Sequence, residues 1–162
     1  MQLVNLAYSD MASAYTSGRV DAFLSAEMGV SIARQAGAQQ IVSPYETPIG
    51  ATNIVLGGNG RFLDDHPDRA RGTVQTFARA IDFMKSDREA WAAGLVETFG
   101  MDRAVTDIAI GNVRLRWELD DEYRQRVTEL ARQMVDFDQL PAAPDMSRVF
   151  RTEFLDAVSA QR

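Results

Sequence analysis

Short apolar runs that alternate with helix-like stretches mark the first third of the chain. Residues 2–7, QLVNLA, are rich in Leu and Val, so they predict a short buried strand. Residues 19–25 predict a second strand by the same pattern. The Ala- and Met-rich segment between the two runs predicts a helix that Asp10 caps and Gly18 ends.

The order of these elements predicts a fold class. Residues 27–36 return to a helical pattern that Gly37 ends, and strand, helix, strand and helix with short connections describe a βαβ unit. Residues 39–60 then hold strand-like runs around Pro44 and Pro48, which predicts a crossover and a return strand. We therefore predict an α/β protein with a short parallel sheet in its N-terminal part.

The rest of the chain has the periodicity of helices. In residues 67–85 apolar side chains recur every three or four positions, and Pro67 with its neighbouring acids is typical of a first helical turn. Residues 120–138 repeat this amphipathic pattern. Further helices are predicted at 87–99, 103–112 and 148–160. The predicted parts are the βαβα segment 1–38, the crossover 39–60 and the helical part 61–162.

Composition narrows the function by exclusion. The formal net charge of −6 argues against a nucleic-acid partner, because phosphate binding needs a basic surface. The chain has no cysteine, which excludes disulfides, thiolate nucleophiles and zinc–thiolate sites. No apolar run approaches the roughly 18 residues of a membrane span. The start, MQLVNLAYSD, shows no signal peptide.

Few side chains predict catalysis. A hydrolase triad needs a base such as histidine, and the only histidine, His66, directly precedes a proline at a predicted helix start. Asp64, Asp65 and Asp68 are candidate metal ligands, but the helix dipole also explains acids at that position. The run GGNGR at 57–61 lacks the lysine and the Ser/Thr of a phosphate loop. We therefore expect no catalytic residue, no metal and no cofactor.

The candidate ligand-binding residues lie at the predicted edge of the sheet. Ser9 and Asp10 follow the first predicted strand, and Glu27 follows the second. Ligands of open parallel sheets bind at the carboxyl ends of strands, where helix N-termini also offer free N–H groups. We therefore predict that Ser9, Asp10 and Glu27 bind a ligand. Structural roles stay open as alternatives, with Asp10 as a cap and Glu27 as a helix-start acid.

The stretch VNLAYSDMASAYTSGRVDAFLSAE, residues 4–27, carries a family likeness. It resembles the closing part of the second lobe of substrate-binding proteins of ABC importers, in the nitrate, alkanesulfonate, taurine and thiamine-pyrimidine-precursor group. Those proteins have a "sG.vDA" core and then a strand that ends in a glutamate–proline pair. Glu27 falls on that glutamate, whereas Met28 replaces the proline. The residues that match the core are Ser17, Gly18, Val20, Asp21 and Ala22.

The likeness continues downstream, where residues 50–100 look like the return strand and helical pair of the family, and 132–158 look like its tail. It implies part of a type II periplasmic-binding-protein fold that belongs to the solute-binding component of an importer. The implied ligand is a small polar, zwitterionic or heterocyclic molecule in an interlobe cleft, and the implied partner is a membrane permease. The implied location is the periplasm or, for a lipoprotein, the cell surface. Because one lobe of such a protein is missing here, we expect self-association or a partner lobe.

Two other functions stay open. A branch of the same superfamily makes the thiamine pyrimidine precursor, but that chemistry uses a histidine and a cysteine-rich motif, and this chain has only His66. A non-catalytic helical interaction domain would instead use the amphipathic helices 67–85 and 120–138 as a partner surface. We predict a binding protein rather than an enzyme.

Overall fold

The regular elements of the chain are helices. The computed structural model describes residues 1–47, 50 and 54–159, and within these residues no segment forms a strand. The helices are α1 (Tyr8–Thr16), α2 (Glu27–Gln35), α3 (Gly60–Asp65), α4 (Pro67–Ser86), α5 (Arg88–Phe99), α6 (Arg103–Asn112), α7 (Asp121–Asp136), α8 (Met146–Val149) and α9 (Glu153–Ser159), with a 3₁₀ turn at Pro44–Glu46. None of these helices has the length and apolar character that crossing a bilayer requires.

The predicted α/β fold is wrong. Residues 2–7 and 19–25 form no strand, and neither do the described residues 54–59 of the return strand. Residues 51–53 of that run lie outside the described part of the chain. A strand needs a neighbour whose N–H and C=O groups pair with its own, and no described residue forms such a neighbour beside these runs. The parallel sheet and the type II binding-protein architecture that depended on it are therefore corrected to a helical fold.

The helical predictions agree more closely with the structure. Gly18 and Gly37, which are predicted to end helices, and Gly100, which directly follows α5, all have positive φ angles, of 72°, 91° and 63°. The last predicted helix, 148–160, is instead divided between α8 and α9. Strong periodicity thus located the long helices, whereas the last residues form two short helices instead of the single helix that their pattern predicts.

One compact unit consists of residues 1–41 and 83–115. Within it α1 packs on α2, α2 packs on α6, and α6 packs on α5. Arg103 joins α6 to α5 through two hydrogen bonds to the Glu89 carboxylate, at 2.8 and 2.7 Å. Most buried side chains of this unit are small, although Val105 and Ile110 are buried as well; the buried alanines are Ala12, Ala14, Ala33, Ala92 and Ala109.

The second unit consists of residues 42–82 and 116–162. Long-range hydrogen bonds hold its segments together: Trp117 Nε1 donates to Asp82 Oδ1 at 3.0 Å, and Arg126 donates to the Gly50 carbonyl at 2.9 Å. The buried side chains of the described part include Ala70, Ala78, Ile81, Tyr123, Ala131, Phe154 and Val158. The buried side chains of this unit are larger on average than those of the first unit.

Low pH is expected to remove a stabilising interaction from the surface of α7. The pKa of Glu129 is lowered to about 2, first by the hydrogen bond from Arg132 and then by the one from Gln133. Because the folded-state pKa is depressed, this stabilisation is present above the usual value of 4.5 and is lost as pH falls towards 2. We expect Arg132→Gln to raise the pKa of Glu129, measured by NMR titration of its carboxyl carbon.

The matched control for this measurement is Arg126→Gln. Arg126 lies on the same helix and pairs with Glu122 rather than with Glu129. An equal rise in the pKa of Glu129 in both variants would contradict the assignment to Arg132.

Candidate functional site

Glu27 is the best-defined polar centre of the first unit. Its Oε1 accepts a hydrogen bond from Ser31 Oγ at 2.5 Å and another from Asn112 Nδ2 at 2.7 Å. Ser31 lies one turn further along α2 and is completely buried, while Asn112 is the last residue of α6. The half-buried carboxylate therefore ties the start of α2 to the end of α6.

The local sequence explains why Glu27 lies at a helix start. The preceding Ala26 has extended backbone and makes no capping hydrogen bond through its side chain, so the acid in the first turn is the group that favours the positive end of the helix dipole. Gly29 allows the preceding segment to approach closely. A Cβ on Gly29 would lie 2.6 Å from Ser25 Oγ, which no residue tolerates without a shift.

Ser9 and Asp10 lie elsewhere in the same unit, on the exposed first turn of α1. Ser9 Oγ donates to Asp10 Oδ1 at 3.2 Å, and Ser13 Oγ donates to the Asp10 carbonyl at 2.9 Å. Among the hydrogen bonds of the described residues, none joins this pair to Glu27. The structure therefore does not link the three predicted residues into one hydrogen-bonded cluster, and their binding of a ligand stays a prediction.

Asp10 is not the cap of α1. The N-cap position is Ala7, whose methyl group makes no capping bond, and Asp10 lies inside the first turn. The Asp10 carboxylate therefore acts on the helix dipole rather than on one backbone N–H. The alternative interpretation of Glu27 as a helix-start acid is confirmed, because Glu27 is the first residue of α2.

Sequence reasoning missed both partners of Glu27. Ser31 follows it by four residues, a spacing that places two side chains on one helix face, so this partner had a local signal. Asn112 lies 85 residues away, and no local pattern connects it to Glu27. Only the packing of α2 on α6 brings the amide to the carboxylate.

A second polar surface lies along α7 in the other unit. It is a shallow depression of about 390 Å³. Arg124 Nε is buried there without a hydrogen-bond partner among the described residues, and its guanidinium lies 3.7 Å from the Asp121 carboxylate. The lining residues all come from one helix: Asp121, Arg124, Gln125, Thr128 and Glu129. Because these side chains all come from one helix and do not converge on one point, this surface is a weaker candidate for a ligand site than the Glu27 centre.

Two of the three acids considered as metal ligands, Asp64 and Asp68, form ion pairs. Asp64 pairs with Arg151 at 3.0 Å, and Asp68 pairs with Arg71 at 2.6 Å. In residues 1–47, 50 and 54–159, no three His, Asp or Glu side chains lie close enough to hold a metal ion. The ring of His66 contacts the ring of Phe62, with centroids 5.2 Å apart, at the junction of α3 and α4.

Comparison with known proteins adds no family to this description. No protein-family model, curated protein or solved structure matches the sequence. The likeness to importer binding proteins therefore stays a prediction from the sequence.

Proposed function

We propose that the protein is the C-terminal portion of the solute-binding component of an ABC-type importer. Two observations support this proposal: the sequence likeness of residues 4–27, and the Glu27 carboxylate, which Ser31 and Asn112 hold through Oε1 alone. No N–H or O–H group of the described residues donates a hydrogen bond to Glu27 Oε2. This oxygen can therefore accept a hydrogen bond from a ligand.

The geometry of Glu27 favours one class of ligand. A carboxylate forms its strongest hydrogen bonds with cationic or N–H donors, whereas it repels anions. The matching ligand is a small polar molecule with an amine, an amidine or an amino-heterocycle. By the same reasoning nitrate and simple sulfonates fit this position poorly. The periplasmic or cell-surface location and the permease partner belong to this proposal and rest on the sequence likeness.

Calorimetry with the full-length protein tests the ligand role of Glu27. The probes are an aminopyrimidine, taurine and nitrate, and we expect the aminopyrimidine to bind best. Glu27→Gln keeps the acceptor oxygen for Ser31 and Asn112 but removes the charge. We expect it to weaken binding by about tenfold, or about 1.4 kcal/mol.

The control for calorimetry is Glu97→Gln, which neutralises an exposed acid of α5. It should leave the affinity unchanged. Binding that is equal in Glu27→Gln and in the unmodified protein, or no binding of any probe, would remove Glu27 from a ligand site.

A second candidate function is association of the helical protein with a second copy of itself. Non-helical segments of the described residues expose large apolar side chains: Leu3 is 84% exposed, Ile41 88% and Ile54 85%. Residues 2–7, 38–43 and 54–59 include no charged residue. Two identical copies can therefore pack against each other through these segments without like-charge repulsion. For this reason we favour a second copy of the protein as the partner.

Sedimentation over a range of concentrations tests self-association. We expect a dimer whose dissociation constant rises by about tenfold or more, equivalent to about 1.4 kcal/mol, when Ile54 and Leu56 are both changed to Thr. Leu24→Thr is the matched control, because Leu24 is similarly exposed but lies in a segment with Arg19 and Asp21. A monomer at every micromolar concentration would exclude this function.

A further inference from the structure

Asn59 differs from the other residues that cap helices in this protein. In the described residues, four helices begin with an aspartate whose carboxylate accepts a backbone N–H at 2.8 to 3.0 Å. Helix α3 begins instead with Asn59, and its Oδ1 lies 3.3 Å from the Phe62 nitrogen. The Asn59 contact is the longest of the five. The four aspartates are Asp87, Asp102, Asp120 and Asp145.

The residue after Asn59 is glycine, which distinguishes it from the other asparagines of the sequence. Asn5, Asn53 and Asn112 precede Leu, Ile and Val, whose branched side chains hinder approach to the following backbone nitrogen. A Cβ on Gly60 would meet no atom within 4 Å. Asn59 and Gly60 are both exposed, so water reaches this peptide bond.

We infer that Asn59 is a site of spontaneous deamidation. The Gly60 backbone nitrogen bonds to Asn59 Cγ, and its proton passes through water to Nδ2. The bond from Cγ to Nδ2 breaks, and Nδ2 leaves as ammonia. Water then adds to either carbonyl carbon of the resulting five-membered imide and breaks one ring C–N bond. The products are aspartate and isoaspartate at position 59.

The folding of α3 permits this reaction. Ring closure requires that the capping bond breaks and that the backbone at Asn59 rotates away from its ψ of 125°. Helix α3 has six residues and no buried residue, so little packing resists its opening. The capping bond therefore opens with α3 locally, without unfolding of either unit.

The two products have opposite effects on α3. Aspartate is as good a cap as asparagine and adds a negative charge at the positive end of the helix dipole. It thus brings α3 to the arrangement already present at α5, α6, α7 and α8. Isoaspartate lengthens the backbone by one carbon, so its carboxylate no longer stands at the capping position.

Peptide mass spectrometry of the aged full-length protein tests the inference. Trypsin cleaves after Arg34 and Arg61, so one peptide carries both Asn53 and Asn59. Incubated in mildly alkaline buffer, Asn59 is expected to convert at least about tenfold faster than Asn53, a difference of about 1.4 kcal/mol in activation free energy. Fragmentation of the peptide locates the mass change, and chromatography separates aspartate from isoaspartate.

The matched variant is Gly60→Ala, which adds one methyl group where the structure has open space. It should lower the rate at Asn59 towards the rate at Asn53, while circular dichroism stays unchanged. Equal rates at Asn53 and Asn59 would overturn the inference. So would a rate at Asn59 that Gly60→Ala leaves unaltered, because the glycine would then play no part.

Discussion

Glu27→Ala is expected to lower the free energy of unfolding by about 2 kcal/mol, within the usual range for leaving buried hydrogen-bonding groups unsatisfied. The alanine removes the acceptor of the fully buried Ser31 hydroxyl and of the Asn112 amide together. Glu27→Gln keeps an acceptor oxygen in the same place and should retain most of the stability. Urea unfolding followed by circular dichroism measures the difference.

A double-mutant cycle between Glu27→Ala and Asn112→Ala measures the coupling free energy of the hydrogen bond that joins α2 to α6. The two residues share one hydrogen bond of 2.7 Å, so their effects should fall short of additivity by about 0.5 kcal/mol or more. Strictly additive effects would show that the long-range bond contributes nothing. In that case the loss in Glu27→Ala would belong to Ser31 alone.

Ala92→Leu is expected to destabilise the first unit by about 1–3 kcal/mol, the usual cost of adding methylene groups to a filled interior. Ala92 is 0% exposed and lies on α5, which packs on α6. The larger leucine has to displace its neighbours or strain its own rotamer. The loss is measured as a shift in the urea midpoint at unchanged slope.

The neighbouring Ala93→Leu is the control for helix propensity. Ala93 belongs to the same helix but is exposed, so the same change there should alter stability by no more than about 0.5 kcal/mol. Equal losses at both positions would mean that leucine disfavours α5 itself rather than its packing.

The sequence located helices well because helix formation depends on neighbouring residues. In α4 and α7 the apolar period and the acids of the first turn indicate the same element, and in α7 the Asp120 cap agrees with them. Residues 2–7 have the composition of a strand, but a strand forms only beside another one, and composition cannot supply that neighbour. This is why the helical periods gave correct elements and the apolar runs did not.

The candidate site was foreseen only in part. The position of Glu27 at a helix start follows from the residues around it, and Ser31 lies at a helical spacing from it. Asn112 joins the carboxylate only through the packing of α6 on α2, which one sequence does not reveal. The reasoning from a sheet edge that grouped Ser9 and Asp10 with Glu27 lost its basis with the sheet.

The two units are interleaved along the sequence, since 42–82 separates the halves of the first unit and 83–115 separates the halves of the second. On the ribosome, α1 and α2 therefore emerge long before α6, the helix on which α2 packs. The first unit remains incomplete until residue 115 has been made, and until then the early helices keep apolar surface open to chaperones and aggregation. A stop codon anywhere between residues 42 and 115 would leave both units unfinished, so truncation within this range yields no intact unit.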